Sequence, residues 1–87
     1  MNLDYQLTLS RESIKFLKKQ EKIARERIGN ALVGLTYRPP VGDIKPLRGK
    51  QAKLRLRVGT YRVIFEVNHN EKIIYVLSID NRGDVYK

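Results

Sequence analysis

Four cations stand close together in the middle of this 87-residue chain: Lys53, Arg55 and Arg57 at alternate positions, and Arg62 a short way on. The stretch between Ile44 and Phe65 adds Lys45, Arg48 and Lys50 and contains no acidic residue. A guanidinium stays protonated and presents its N–H groups as a planar fork that matches a phosphate. A basic patch of this kind on a small domain is the electrostatic footprint of nucleic-acid binding. An anionic membrane fits less well, because the patch lies on a predicted strand and not on an amphipathic helix with aromatic anchors. An acidic protein partner stays open. The cations can also do one kind of chemistry. RNA carries its own nucleophile, the 2′-hydroxyl, beside each phosphate. Cleavage needs the phosphate held in line, its developing charge neutralised, and protons moved at two oxygens. Arginines can grip and stabilise the phosphorane. A lysine crowded by other cations can serve as a base, because like charge disfavours an ammonium.

Other chemistries lack their residues. There is no cysteine, so neither a disulfide framework nor a thiolate metal site is available. The single histidine, His69, falls in a predicted turn, and nothing places it beside Ser10, Ser13 or Ser78 to form a nucleophilic triad. Carboxylates at metal-ligand spacing and a glycine-rich phosphate loop are not evident. The expectation is therefore no metal and no cofactor. The net charge is +9, from 18 Lys and Arg against 9 Asp and Glu. No apolar run approaches the roughly 20 residues that span a bilayer, and MNLDYQLTLS lacks the basic-then-apolar layout of a signal peptide. A cytoplasmic protein with no membrane partner is expected, folded as one domain over residues 1–87.

The element that must position the cations is a hairpin. Ala52, Leu54, Leu56 and Val58 alternate with Lys53, Arg55 and Arg57, so a strand here is apolar on one face and cationic on the other. Gly59-Thr60 suits a two-residue type II′ turn. That turn sets Val58 opposite Tyr61, Arg57 opposite Arg62, and Lys53 opposite Glu66. Leu54, Leu56, Val58, Tyr61, Val63, Phe65 and Val67 then share the buried face, while Ile64 and Glu66 lie among the cations. Like charges directly opposite across a ladder are destabilising, so Arg57 and Arg62 suggest an anion between them.

The remaining elements follow in chain order. Leu3, Tyr5, Leu7 and Leu9 alternate as in a half-buried strand. Ser10 is a good N-cap for a helix from about Arg11 to Gln20, with Ile14, Phe16 and Leu17 turned inward. A second helix is expected from about Lys22 to Leu35, with Ile28, Leu32 and Leu35 on one face. The break between them is a tight turn near Gln20-Glu21 or a kink. Gly34 and Pro39-Pro40 end the second helix, and Thr36 to Pro46 reads as a loop. Asn68 to Glu71 reads as a polar turn, and Ile73 to Ile79 as a strand central in its sheet or covered on both faces. The order is β-α-α-β-β-β, an α+β fold with an antiparallel sheet, two helices on one face and a basic opposite face.

The segment LRG…KLRLRVGTYRVIFEV, a buried strand after it, and the terminal SIDNRGDVYK together resemble the RelE-type toxins of the RelE/ParE toxin–antitoxin superfamily. The resemblance spans nearly the whole chain. Its most specific parts are Gly59-Thr60-Tyr61-Arg62 and the terminal arginine followed by Val85-Tyr86. It implies a metal-independent endoribonuclease that cleaves messenger RNA in the ribosomal A site. By the same resemblance the catalytic set falls on Lys53, Arg55, Arg62, Arg82 and Tyr86, with Lys45, Arg48, Lys50 and Arg57 binding RNA. The arginines would stabilise phosphate charge, and Tyr86 would orient or stack on the nucleotide or assist the base. Arg55 stands where the best-known members carry lysine; a guanidinium is a poor base, which shifts that role to Lys53 or Tyr86. The resemblance also implies an acidic, RelB-like antitoxin and a toxin–antitoxin heterotetramer. Two other functions fit this superfamily or this charge: inhibition of DNA gyrase by protein contact, as ParE toxins do, and RNA binding without catalysis.

Overall fold

Ser10 sets the entry to the helical part of the chain. The structure is a computed structural model that describes residues 5–49 and 52–81. Strand β1, Gln6–Leu9, ends at Ser10, whose side chain accepts the backbone N–H of Ser13 at 3.1 Å and caps helix α1, Arg11–Lys18. Glu12 lies in the first turn of α1 and Lys18 in the last, both favourable to the helix dipole. A tight turn follows, and helix α2 runs Lys22–Gly34. Val41 N–H donates to the Gly34 carbonyl at 3.0 Å, folding the Pro39-Pro40 segment back against the helix end.

The rest is sheet: β2 Asp43–Pro46, β3 Leu54–Val58, β4 Tyr61–Asn68 and β5 Ile73–Asn81, in spatial order β1-β5-β4-β3-β2. The α+β architecture and the helix pair agree with the sequence reading, and β5 is an interior strand flanked by β1 and β4, with β4 in the middle of the sheet. Three features differ. Residues 43–46, expected in a loop, form a fifth strand at the sheet edge against β3; Asp and Pro are poor strand formers, so the composition hid it. The sheet is mixed, because β1 pairs with β5 in parallel while the other pairs are antiparallel. Ile14, expected inward, is 42% exposed, and Ser13 is fully buried in its place.

The Ser13 exchange has a local cause. Strand β5 carries a bulge at Leu77, which shifts its register against β4 from Phe65↔Val76 to Ile64↔Ser78. The Ser10 hydroxyl lies 2.8 Å from the Leu77 carbonyl and 2.9 Å from the Ser13 hydroxyl. Ser10 N–H donates to the Val76 carbonyl at 2.9 Å. The start of α1 is thus held down onto the bulge, where a small polar side chain fits and an isoleucine would not.

The hairpin register is the expected one. Val58 pairs with Tyr61, Arg57 with Arg62, and Leu54 with Phe65. Gly59 has φ +61 and Thr60 lies outside the positive-φ region, as a type II′ turn requires. Leu56, Val58, Val63 and Phe65 point to the helices and join Ile28, Leu32, Leu35, Ile74, Val76 and Ile79 in one buried cluster, with Phe16 and Leu17 against it.

Candidate nucleic-acid interface

Because the apolar side chains of β3 and β4 take the helix-facing side, the alternate positions must point the other way. The register arranges them in rows across the sheet. One row reads Asp43, Arg57, Arg62, Asp80, and the next Lys45, Arg55, Ile64, Ser78. A third sets Lys53 beside Glu66 and Glu66 opposite Tyr75. The bulge at Leu77 keeps these rows in phase: without the extra residue, Ser78 and Asp80 would switch to the buried face.

The cations of this face fall into two groups. Lys53 Nζ lies 2.9 Å from Glu66 Oε2, both side chains about a third exposed. Arg55 Nη2 lies 3.4 Å from Asp43 Oδ1; the Arg55 side chain is only 14% exposed, lying down on the sheet under its partner. Arg57, Arg62 and Lys45 have no ion pair among the described residues. Arg57 is exposed and Arg62 half-buried, and they stand directly opposite each other. Asp80, next in the row after Arg62, keeps a buried Oδ1 without a hydrogen-bond partner among the described residues. Two arginines opposed across the ladder, with no carboxylate between them, can both donate to one phosphate.

The sequence-predicted residues divide accordingly. Lys53, Arg55, Arg57, Arg62 and Lys45 come together on one sheet face, and exposed Arg48 lies in the connection from β2 to β3. Lys50, Arg82 and Tyr86 lie outside the described residues. His69 is exposed in the β4–β5 turn, as expected, and its Nδ1 lies 2.7 Å from the Tyr5 hydroxyl. The sequence reading missed Asp43, which holds Arg55, and the place of Tyr75 opposite Glu66 on this face. Asp43 was hidden by reading its strand as a loop, and Tyr75 by the apolar run around it. Glu66 was legible, since the turn register places it opposite Lys53. A groove opens at the Glu66 end of this face, lined by Ala52, Glu66, Val67, Asn68, His69 and Tyr75. No group of three His, Cys, Asp or Glu able to hold a metal ion occurs among the described residues, and no helix among them is long and apolar enough to cross a membrane.

Comparison with known proteins agrees with this geometry. Residues 7–86 match the family model of the ParE toxin of the type II toxin–antitoxin system parDE. The archaeal RelE of a RelE–RelB complex from Pyrococcus horikoshii OT3 is similar at a TM-score of 0.79 and 29% identity, covering 92% of this chain and 97% of that one. The isolated RelE toxin of E. coli is similar at 0.74 and 22% identity, covering 88% and 83%. A YoeB/ParE toxin from Agrobacterium tumefaciens is similar at 0.72 and 17% identity, covering 87% and 96%. No curated protein sequence matches the chain. A two-helix, five-stranded domain with a cationic sheet face, matched over almost its whole length by this family model, belongs to the ParE toxin family within the RelE/ParE superfamily of type II toxin–antitoxin systems.

Proposed function

We propose that this toxin is a ribosome-dependent endoribonuclease that cleaves messenger RNA in the A site by attack of a 2′-hydroxyl on the adjacent phosphate. The observation that carries the reading is the Arg57–Arg62 pair, directly opposed across β3 and β4 with no carboxylate bonded to either among the described residues. A binding face that needed only to be soluble would not keep a repulsive cross-strand pair; a bound phosphate converts the repulsion into two charge-assisted contacts. Arg62 neutralises charge on the phosphorane, and Arg55, held flat by Asp43, adds a fixed dipole beside it. Proton transfer falls to Lys53 and Tyr86, with Arg82 completing the set; the last two enter from the sequence pattern alone. Lys45, Arg48, Lys50 and Arg57 guide the strand. With no histidine on the described sheet face, alignment of the RNA is left to the ribosome.

The partner on this reading is an acidic antitoxin that complements the +9 charge and wraps the toxin in the cytoplasm, in a toxin–antitoxin heterotetramer. The RelE neighbour from Pyrococcus is itself a complex with RelB. A second reading is favoured by the family model, whose description is that of a ParE toxin: inhibition of DNA gyrase by protein contact. Primer extension on messages from cells making the toxin separates the two. Cuts within translated codons, lost by about two orders of magnitude in Arg62→Ala with an unchanged thermal transition, are the expected result. Intact messages together with trapped gyrase–DNA complexes would establish the second reading instead.

A further inference from the structure

We infer that the tip of the β3–β4 hairpin is a second phosphate subsite, built by Arg27 of helix α2 against the Gly59-Thr60 turn, over which an RNA strand leaves the sheet face; this rests on that face binding RNA. Arg27 is exposed and makes no ion pair or hydrogen bond among the described residues. Its guanidinium is nevertheless placed. A Cβ built on Gly59 would stand 3.4 Å from both Cζ and Nη2 of Arg27 and 3.6 Å from Nη1. Three atoms at nearly one distance mean that the planar group lies flat against the glycine, which leaves the N–H groups around its rim free to donate.

The turn supplies the other donors. The ladder closes with Val58 opposite Tyr61, and Gly59 and Thr60 beyond it are both exposed. Neither of their backbone N–H groups, nor the Thr60 hydroxyl, has a partner among the described residues. A guanidinium fork beside backbone N–H groups and a hydroxyl is a donor set that holds a phosphate. The helical layer is fastened to this end of the sheet. The Tyr61 hydroxyl donates to Gln20 Oε1 at 3.4 Å, and its ring meets Phe16 edge-on with centroids 6.0 Å apart. Arg25 Nη1 donates to the Gln20 carbonyl at 2.6 Å, so Arg25 is committed to the turn between the helices while Arg27 is not. Glu26 does not compete for Arg27, because adjacent residues of a helix do not face each other.

Position makes this subsite a continuation of the first. From Arg57 to Gly59 is two residues, about 7 Å at the rise of a strand, or one nucleotide step. Arg57 and Arg62 point away from the helices, whereas Arg27 comes from the helical layer, so cations stand on both sides of the tip. A strand whose phosphate sits between Arg57 and Arg62 reaches Arg27 with a neighbouring phosphate by passing over Gly59, where no side chain stands in the way. Glycine at this position thus serves both the turn, with φ +61, and the clearance above it.

The test uses the full-length protein and labelled 2′-O-methyl oligouridines, which lack the nucleophile and are not cleaved. A hexamer is filled by the four unpaired cations on and beside the sheet face, Lys45, Arg48, Arg57 and Arg62; a dodecamer extends over the tip. The fifth contact gives a slope of roughly −3.5 in log K against log salt, against −2.8 for four. Between about 50 and 200 mM salt the dodecamer should therefore lose about 130-fold in affinity and the hexamer about fifty-fold. Arg27→Gln should bring the dodecamer to the hexamer's slope and leave the hexamer unchanged. Thr60→Val, which keeps the shape without the donor, should weaken dodecamer binding by about two- to tenfold at an unchanged slope. Arg11→Gln removes an exposed, unpaired cation at the opposite end of α1 from Gln20 and should alter neither slope; thermal melts confirm that the variants are folded. A dodecamer slope untouched by Arg27→Gln, or lowered equally by Arg11→Gln, would overturn the subsite, and the sheet-face phosphate site would stand if Arg57→Thr still lowered the slope. Slopes untouched by Arg27→Gln, Arg57→Thr and Arg62→Ala alike would overturn both.

Discussion

The division of the cations into paired and unpaired groups predicts how RNA binding responds to salt. Each single-strand phosphate neutralised by a free cation releases counterions, giving a slope of roughly −0.7 in log K against log salt. Cations already held by a carboxylate contribute less, since they exchange one anion for another. Lys45, Arg48, Arg57 and Arg62 have no carboxylate partner among the described residues, whereas Lys53 and Arg55 do. Four contacts give a slope of about −2.8, so affinity should fall about fifty-fold between about 50 and 200 mM salt. Arg57→Thr, which keeps a good strand former at an exposed position, should reduce the slope to about −2.1 and the fall to about eighteen-fold. Arg55→Thr should leave the slope nearly unchanged, because its guanidinium is committed to Asp43 at 3.4 Å. The assay is fluorescence anisotropy of a labelled 2′-O-methyl RNA hexamer, which lacks the 2′-hydroxyl nucleophile and is not cleaved, across a salt series, with thermal melts at each salt concentration. The reasoning fails if Arg55→Thr and Arg57→Thr lower the slope equally, for then the division of the cations on this face into two classes has no consequence for binding.

Two further outcomes follow from single contacts. Lys53→Gln breaks an ion pair whose partners are each about a third exposed, so it should cost no more than about 1 kcal/mol of stability by chemical denaturation, yet it should lower message cleavage in primer extension far more than that loss of fold explains. Ser10→Ala removes both the α1 cap and the hydroxyl at the β5 bulge; a loss of about 1–2 kcal/mol should appear as a fall in Tm of about 5–15 °C by circular dichroism, and an unchanged Tm would show that the bulge does not depend on it.

The hairpin was legible because three independent signals agree there. Strict alternation gave the faces, Gly59 gave the turn, and the turn gave the register that joins Arg57 to Arg62 and Lys53 to Glu66. Helix α2 was legible for a similar reason, with Ile28, Leu32 and Leu35 at a spacing that only a helix brings together. What was not legible depends on contacts distant in sequence. Strand β2 exists because β3 offers it an edge, and residues 43–46 show little of this by themselves. The parallel pairing of β1 with β5 depends on how the helices carry the chain across the sheet. Ser13 displaces Ile14 from the interior because of the Leu77 bulge, more than sixty residues away. In the site, the same limit hid Asp43 and Tyr75, whose partners become neighbours only through the sheet.

This distribution of carboxylates bears on what the sheet face is for. Surface ion pairs contribute little to stability, about 0–1 kcal/mol each, so Asp43 and Glu66 are poorly explained as struts. Their effect is on geometry: they hold Arg55 and Lys53, two long side chains with many rotamers, close to the sheet. A cation fixed before substrate arrives costs no ordering entropy when charge develops on the phosphate. Arg57 and Arg62 are left without such partners, and the row they share runs from Asp43 at one end to Asp80 at the other. A phosphate entering between them would find two donors whose mutual repulsion it relieves, flanked by cations already in place. On this reading, Asp43 and Glu66 stand where a cation must be aimed, while Asp43 and Asp80 close the two ends of the row without bonding, among the described residues, to the arginines between them.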